Sequence, residues 1–128
     1  MNLAEIGIYS GGSLEMWQHY LGNQCHIHGI DIMKECSVYS SPSTTIHIGD
    51  QGDRLFWKEF RSKVPSLDIL IDDGGHHPDQ QRVTLEEILP HLKEGGVFIC
   101  EDVLGSDNPF STYAHGLADR LNAFNLAS

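Results

Sequence analysis

Residues 67–77 read LDILIDDGGHH, a short apolar run that stops on Asp72 and Asp73 before two glycines and two histidines. A second run, GGVFICEDV at residues 95–103, stops in the same way on Glu101 and Asp102. Runs this short and apolar, bounded by turn residues, read as strands. If both lie in one sheet, four carboxyl groups gather at one rim. Neighbouring strands are only about 4.8 Å apart, so such a cluster needs protons, cationic side chains or a bound divalent ion to offset its repulsion. Carboxylates suit Mg²⁺, and no Cys or His spacing recommends zinc.

Outward from these runs, strand and helix signals alternate. Strands are predicted at Leu3–Ile8, His26–Ile32, Thr44–Ile48, Leu67–Ile71 and Val97–Cys100. Helices are predicted at Leu14–Leu21, capped by Ser13, from Asp53 to Lys63, from Pro78 to Leu89, and over Ser111–Phe124. Gly95 and Gly96 are expected to break the chain before the fifth strand, and residues 33–43 to hold a short helical turn. Repeated strand-helix-strand units with right-handed crossovers make an α/β fold, a Rossmann-like, mainly parallel sheet with helices on both faces. The 128 residues suffice for one such domain, 1–128. Ligands in these folds bind at the carboxyl ends of the strands. The segments YSGGS, Asp31, Gly49-Asp50, Asp72-Asp73 and Glu101-Asp102 all fall at that edge.

Composition excludes several classes. A formal charge of −10 with only eight Lys and Arg argues against a nucleic-acid partner. No apolar stretch reaches the roughly 18 residues of a membrane span. Three cysteines without CxxC spacing suggest reduced thiols, and MNLAEIGIY has no basic region followed by a long apolar run, so a cytoplasmic setting is expected.

Within the rim, EIGIYSGGS spaces its glycines as ExGxxxGG, which differs from the GxGxxG of dinucleotide dehydrogenases. Asp31, about 20 residues on at the end of the second strand, is placed to take two ribose hydroxyls. Asp50 and Gln51 in IHIGDQGD supply acceptor and donor groups able to read an adenine edge. His76 and His77 lie just beyond the carboxylates, where a neutral imidazole accepts a proton near pH 7. Trp17, Trp57 and Phe60 are read as core residues, and the remaining histidines share no spacing and receive no role.

The ordered set EIGIYSGGS, HGIDI, IGDQGD, LDILIDDGGHHPDQQ and HLKEGGVFICEDV resembles the class I S-adenosylmethionine-dependent methyltransferases, more narrowly the metal-dependent sugar O-methyltransferases of macrolide biosynthesis. The resemblance implies that Glu5, Gly7 and Ser13 lie along the methionine part of S-adenosyl-L-methionine, that Asp31 takes its ribose, and that Asp50 and Gln51 lie near its adenine. It implies Mg²⁺ on Asp73, Glu101 and Asp102, with Asp72 supporting the strand end or the cofactor side. His76 is the implied general base, with His77 as alternative, and a small-molecule hydroxyl is the implied acceptor. Members of that family carry sequence before the first strand and further strands after the last helix. The chain is therefore expected to be a fragment, a truncated product, or a minimal domain completed by pairing with another copy at an uncovered edge strand. Two other readings stand beside this one: a non-catalytic nucleotide-binding or oligomerisation domain, and a nicotinamide-dependent oxidoreductase. The clustered acids and absent GxGxxG oppose the latter, because a pyrophosphate would meet repulsion.

Overall fold

A computed structural model describes residues 1–75, 77–101 and 108–127, with side chains through Asp119. Five strands, β1 (Asn2–Ile6), β2 (His26–Asp31), β3 (Thr44–Ile48), β4 (Leu67–Asp72) and β5 (Leu92–Cys100), form one sheet in the order β3-β2-β1-β4-β5. All four strand pairs are parallel. The chain fills one side of β1 with β2 and β3, then returns to its other side with β4. That reversal opens a crevice at the carboxyl ends of β1 and β4, where adjacent crossovers leave in opposite directions.

Strand periodicity divides the core. Ala4, Ile6, Ile30 and Leu70 pack with Trp57, Phe60 and Ile88 on one face, and Leu3, Ile27 and Ile71 pack with Leu14 and Cys36 on the other. The first face is covered by α2 (Arg54–Lys63) and α3 (Pro78–Ile88), and the second by α1 (Gly12–Leu21); a further helix, α4 (Pro109–Ala127), contacts α3. Burial of a ring such as Phe60 contributes roughly 3 kcal/mol. α2 starts where its sequence signals, with the Asp53 carboxylate accepting from Leu55 N at 2.9 Å. Among the described residues no helix is long and apolar enough to cross a membrane.

Three local expectations are corrected. Ser13 does not cap α1: the cap is Gly11, whose φ of +81° is left-handed, and Ser13 lies inside the first turn. β1 ends at Ile6, because Gly7 turns the chain at φ +93°. Gly95 and Gly96 lie within β5, where the pairing jumps from Leu67↔Leu92 to Ile69↔Val97. The glycines allow a bulge opposite Asp68, so the strand begins before them.

The structure also groups histidines that share no sequence spacing. His28 is buried, its Nδ1 lies 3.1 Å from His47 Nε2, its Nε2 lies 3.3 Å from Asn2 Oδ1, and its ring centroid is 4.8 Å from that of His26. If Nε2–H donates to Asn2, Nδ1 accepts from His47, and neither nitrogen has room for another proton. Burial, then the neighbouring His47 and His26, push the His28 pKa down from 6.5 to about 4. The unfolded chain therefore takes up this proton first as pH falls, so the stability contributed by neutral His28 is complete above pH 6.5 and lost toward pH 4. We expect urea unfolding to show a loss of about 2 kcal/mol between pH 7.5 and pH 5, and His28→Gln to flatten that dependence.

Candidate cofactor and metal site

A cavity of about 440 Å³ opens at the β1/β4 crevice, bordered by Gly7 and Tyr9 after β1, Asp31 to Met33 after β2, Gly49 to Gln51 after β3, and Gly74 and Gly75 after β4. Its size suits a nucleoside-sized ligand. Gly7 makes the close approach possible: a Cβ there would sit 2.2 Å from the Asp73 carbonyl oxygen. The strand ends are tied by Gly7 N donating to Ile30 O at 2.8 Å and Asp73 N donating to Ile6 O at 3.0 Å.

Asp31 holds the glycine-rich turn. Its Oδ2 accepts from Ile8 N at 2.9 Å and Tyr9 N at 3.4 Å, while Oδ1 accepts from Met33 N at 2.9 Å. Burial raises its pKa, but these backbone donors outweigh burial and leave it below the ordinary carboxylate value. A carboxylate with about four lone-pair sites keeps acceptor capacity for a ligand hydroxyl. Asp50 borders the same cavity and accepts from Gly52 N at 2.8 Å.

Gln51 departs from its expected role. Its Nε2 donates to the Asp72 carboxylate at 3.0 and 3.2 Å and lies 3.0 Å from Thr84 Oγ1, while its Oε1 accepts from Gly75 N at 2.7 Å. Trp57 Nε1 donates to its carbonyl at 2.7 Å. Gln51 borders the cavity, yet its amide is turned to these internal partners rather than left free for an adenine edge. Asp72, 1% exposed, is the buried anchor of this network.

Glu5 and Ser13 lie outside the cavity lining, as do Asp72 and Asp73. Glu5 is 3% exposed and accepts from Trp17 Nε1 at 2.6 Å. Burial raises its pKa; hydrogen bonding from Trp17 and Ser13 opposes the rise, and the negative charges of Asp73 and Glu101 add to it. The negative charges of Asp73 and Glu101 thus act on Glu5 from the rim. β4–β5 pairing brings them together, with Glu101 N donating to Asp72 O at 2.8 Å. Two carboxylates completed by water and ligand oxygens are a donor set that fits Mg²⁺. Among the described residues no three His, Cys, Asp or Glu side chains converge at metal-binding spacing. The third expected ligand, Asp102, and the expected base, His76, lie outside the described residues. His77 caps α3, its Nδ1 accepting from Asp79 N at 3.2 Å, so that nitrogen is occupied.

The sequence profile of a family described as a methyltransferase domain matches residues 4–103. The chain belongs to this methyltransferase domain family. The matched span holds nearly all of the five-stranded sheet and every candidate residue from Glu5 to Asp102. Demethylmacrocin O-methyltransferase of Streptomyces fradiae and mycinamicin VI 2''-O-methyltransferase of Micromonospora griseorubida are each 33% identical to it over 110 residues, which cover 80% of this chain and 27% of each relative. The chain thus spans about a quarter of their length. The methyltransferase MycE of the mycinamycin pathway, solved with Mg, SAH and mycinamycin VI, superposes with a TM-score of 0.74 at 31% identity, covering 79% of this chain and 29% of MycE. Fibrillarin of Aeropyrum pernix, at 19% identity and a TM-score of 0.63, shares the fold.

Trp17, Trp57 and Thr84 are site-shaping residues outside every segment that the sequence places at the rim, and Tyr9, within YSGGS, has no role of its own there. The indoles of Trp17 and Trp57 were read as core, and only contact with Glu5 and Gln51 reveals their polar work; Thr84 is one helical turn beyond Gln80 with no distinguishing motif. Gln51→Leu would leave the buried Asp72 carboxylate and Gly75 N–H short of partners. We expect it to lower stability by about 2 to 4 kcal/mol, measured by denaturant unfolding.

Proposed function

We propose that this methyltransferase domain binds S-adenosyl-L-methionine and, with Mg²⁺, forms the cofactor core of an enzyme that methylates a hydroxyl of a small molecule, a glycosylated natural product by analogy with its relatives. One observation carries the cofactor assignment: the described cavity lining contains the carboxylates of Asp31, Glu35 and Asp50 and no Lys or Arg. Such a lining favours a nucleoside bearing a cationic sulfonium and disfavours an anionic pyrophosphate. The free thiols of Cys25, Cys36 and Cys100 fit a cytoplasmic setting.

In this reading Asp31 accepts from the ribose hydroxyls, and Asp50 with the Gln51 segment flanks the adenine. Gly7 borders the methionine portion, with Glu5 and Ser13 on its side of the site but outside the cavity lining. Asp72 braces the rim through Gln51. Asp73, Glu101 and Asp102 hold the cation, which when bound orients acceptor oxygens and eases loss of the hydroxyl proton. His76 removes that proton. Its neighbour His77 is the weaker candidate, since one ring nitrogen serves as the helix cap. S-adenosyl-L-methionine, when bound, would supply the methyl group to the deprotonated acceptor oxygen and keep the sulfur as a neutral thioether. Placement and proton removal are the protein's contributions.

Calorimetric titration of the folded chain with S-adenosyl-L-methionine, with and without Mg²⁺, tests the core of this reading. Binding in the micromolar range is expected, and a folded sample that binds no cofactor would overturn it. Asp73→Asn is expected to abolish Mg²⁺-dependent methyl transfer while leaving cofactor affinity within about twofold; an unchanged Mg²⁺ requirement would remove Asp73 from the ligand set.

A further inference from the structure

We propose that Tyr9 is a positioning residue whose phenol fastens the glycine-rich turn to the main chain of Asp73, holding the cation-binding rim in register with the cofactor cavity. This rests on the assignment of Asp73 as a cation ligand. Tyr9 Oη donates to Asp73 O at 2.8 Å and lies 3.3 Å from Gly74 O. On the opposite side, Tyr9 N is directed at Asp31 Oδ2 at 3.4 Å, and Tyr9 O faces Cys36 Sγ at 3.8 Å. One residue therefore links the ends of β2 and β4 across the carboxyl end of β1, and it borders the cavity on the way.

Packing does not account for this placement, since Tyr9 is 61% exposed. Its backbone has φ +51°, the one positive value among the described non-glycine residues. That conformation is disfavoured for a residue that carries a Cβ. The segment it grips has little rigidity of its own, because Gly74 and Gly75 follow Asp73 directly. The three N–H groups of Asp73, Gly74 and Gly75 are bonded inward to Ile6 O, Asp72 Oδ1 and Gln51 Oε1. The phenol restrains the carbonyl side of two of these peptides, Asp73–Gly74 and Gly74–Gly75, fixing the backbone from which the Asp73 carboxylate projects.

The test measures binding of Mn²⁺, which accepts the same hard oxygen donors as Mg²⁺, and of S-adenosylhomocysteine, in the wild-type chain and in Tyr9→Phe. Mn²⁺ is followed by electron paramagnetic resonance and the nucleoside by calorimetry. Loss of the hydroxyl alone is expected to weaken Mn²⁺ binding about fivefold, with nucleoside affinity within twofold and the urea midpoint unchanged. Tyr9→Ala is expected to show the same Mn²⁺ deficit and, having lost the ring that borders the cavity, weaker nucleoside binding as well. Equal Mn²⁺ affinity in wild type and Tyr9→Phe overturns the role of Tyr9 and leaves Asp73 in place. A parallel loss of both ligands and of stability in Tyr9→Phe overturns it in favour of a purely structural hydroxyl. A wild-type chain that binds nucleoside and no Mn²⁺ removes the cation assignment, and this proposal with it.

Discussion

The close approach of β1 and β4 at their carboxyl ends governs the rest of the rim. Asp73 N donates to Ile6 O, and Gly7 presses against the Asp73 carbonyl where any side chain would collide. Because the chain reverses its direction of travel across the sheet between these strands, the adjacent crossovers part and open a crevice there. The absence of a Cβ at Gly7 converts that topological gap into a bordered cavity. The turn that follows then meets the Asp31 carboxylate and the β4 end together.

Five of the acidic groups at the rim share a chemistry but not an environment. Asp72 is enclosed by Gln51 and the Gly74 N–H, Asp31 is occupied by three backbone donors, and Glu5 is buried beneath Trp17. These three hold the site together. Asp73 and Glu101 lie beyond the strand ends, and their charge is felt as far as Glu5. The division follows from strand geometry: successive residues point to opposite faces, so neighbouring carboxylates such as Asp72 and Asp73 meet different surroundings. Gln51 illustrates the same economy, since one side chain meets a buried carboxylate and a glycine N–H at the end of β4 and a threonine hydroxyl on α3, all distant from it in sequence.

Much of this architecture is legible in the linear chain. The apolar runs LDILI and VFIC predict parallel strands, the first found beside β1 and the second in the edge strand β5, Asp53 and Pro78 mark helix starts, and Thr44–Ile48 is found with the predicted bounds. The readings that failed turned on backbone angles. Ser13 is a good capping residue by type, but Gly11 alone tolerates the left-handed turn that starts α1. Gly95 and Gly96 looked like a boundary and form a bulge, because whether a glycine pair ends a strand or kinks it depends on the partner strand's register. The histidines of β2 and β3 cluster only through cross-strand pairing, so no spacing announces them.

The sequence by itself determined the class of fold, the edge at which ligands meet it and the residue types gathered there, because hydrophobic period and glycine placement act locally along the chain. Tertiary structure alone decided which carboxylates are fixed internally, that the Gln51 amide is committed inward, and that an exposed tyrosine spans two strand ends. Those outcomes depend on burial and on donors and acceptors brought together from distant segments, and burial sets the cost of leaving a polar group unpaired.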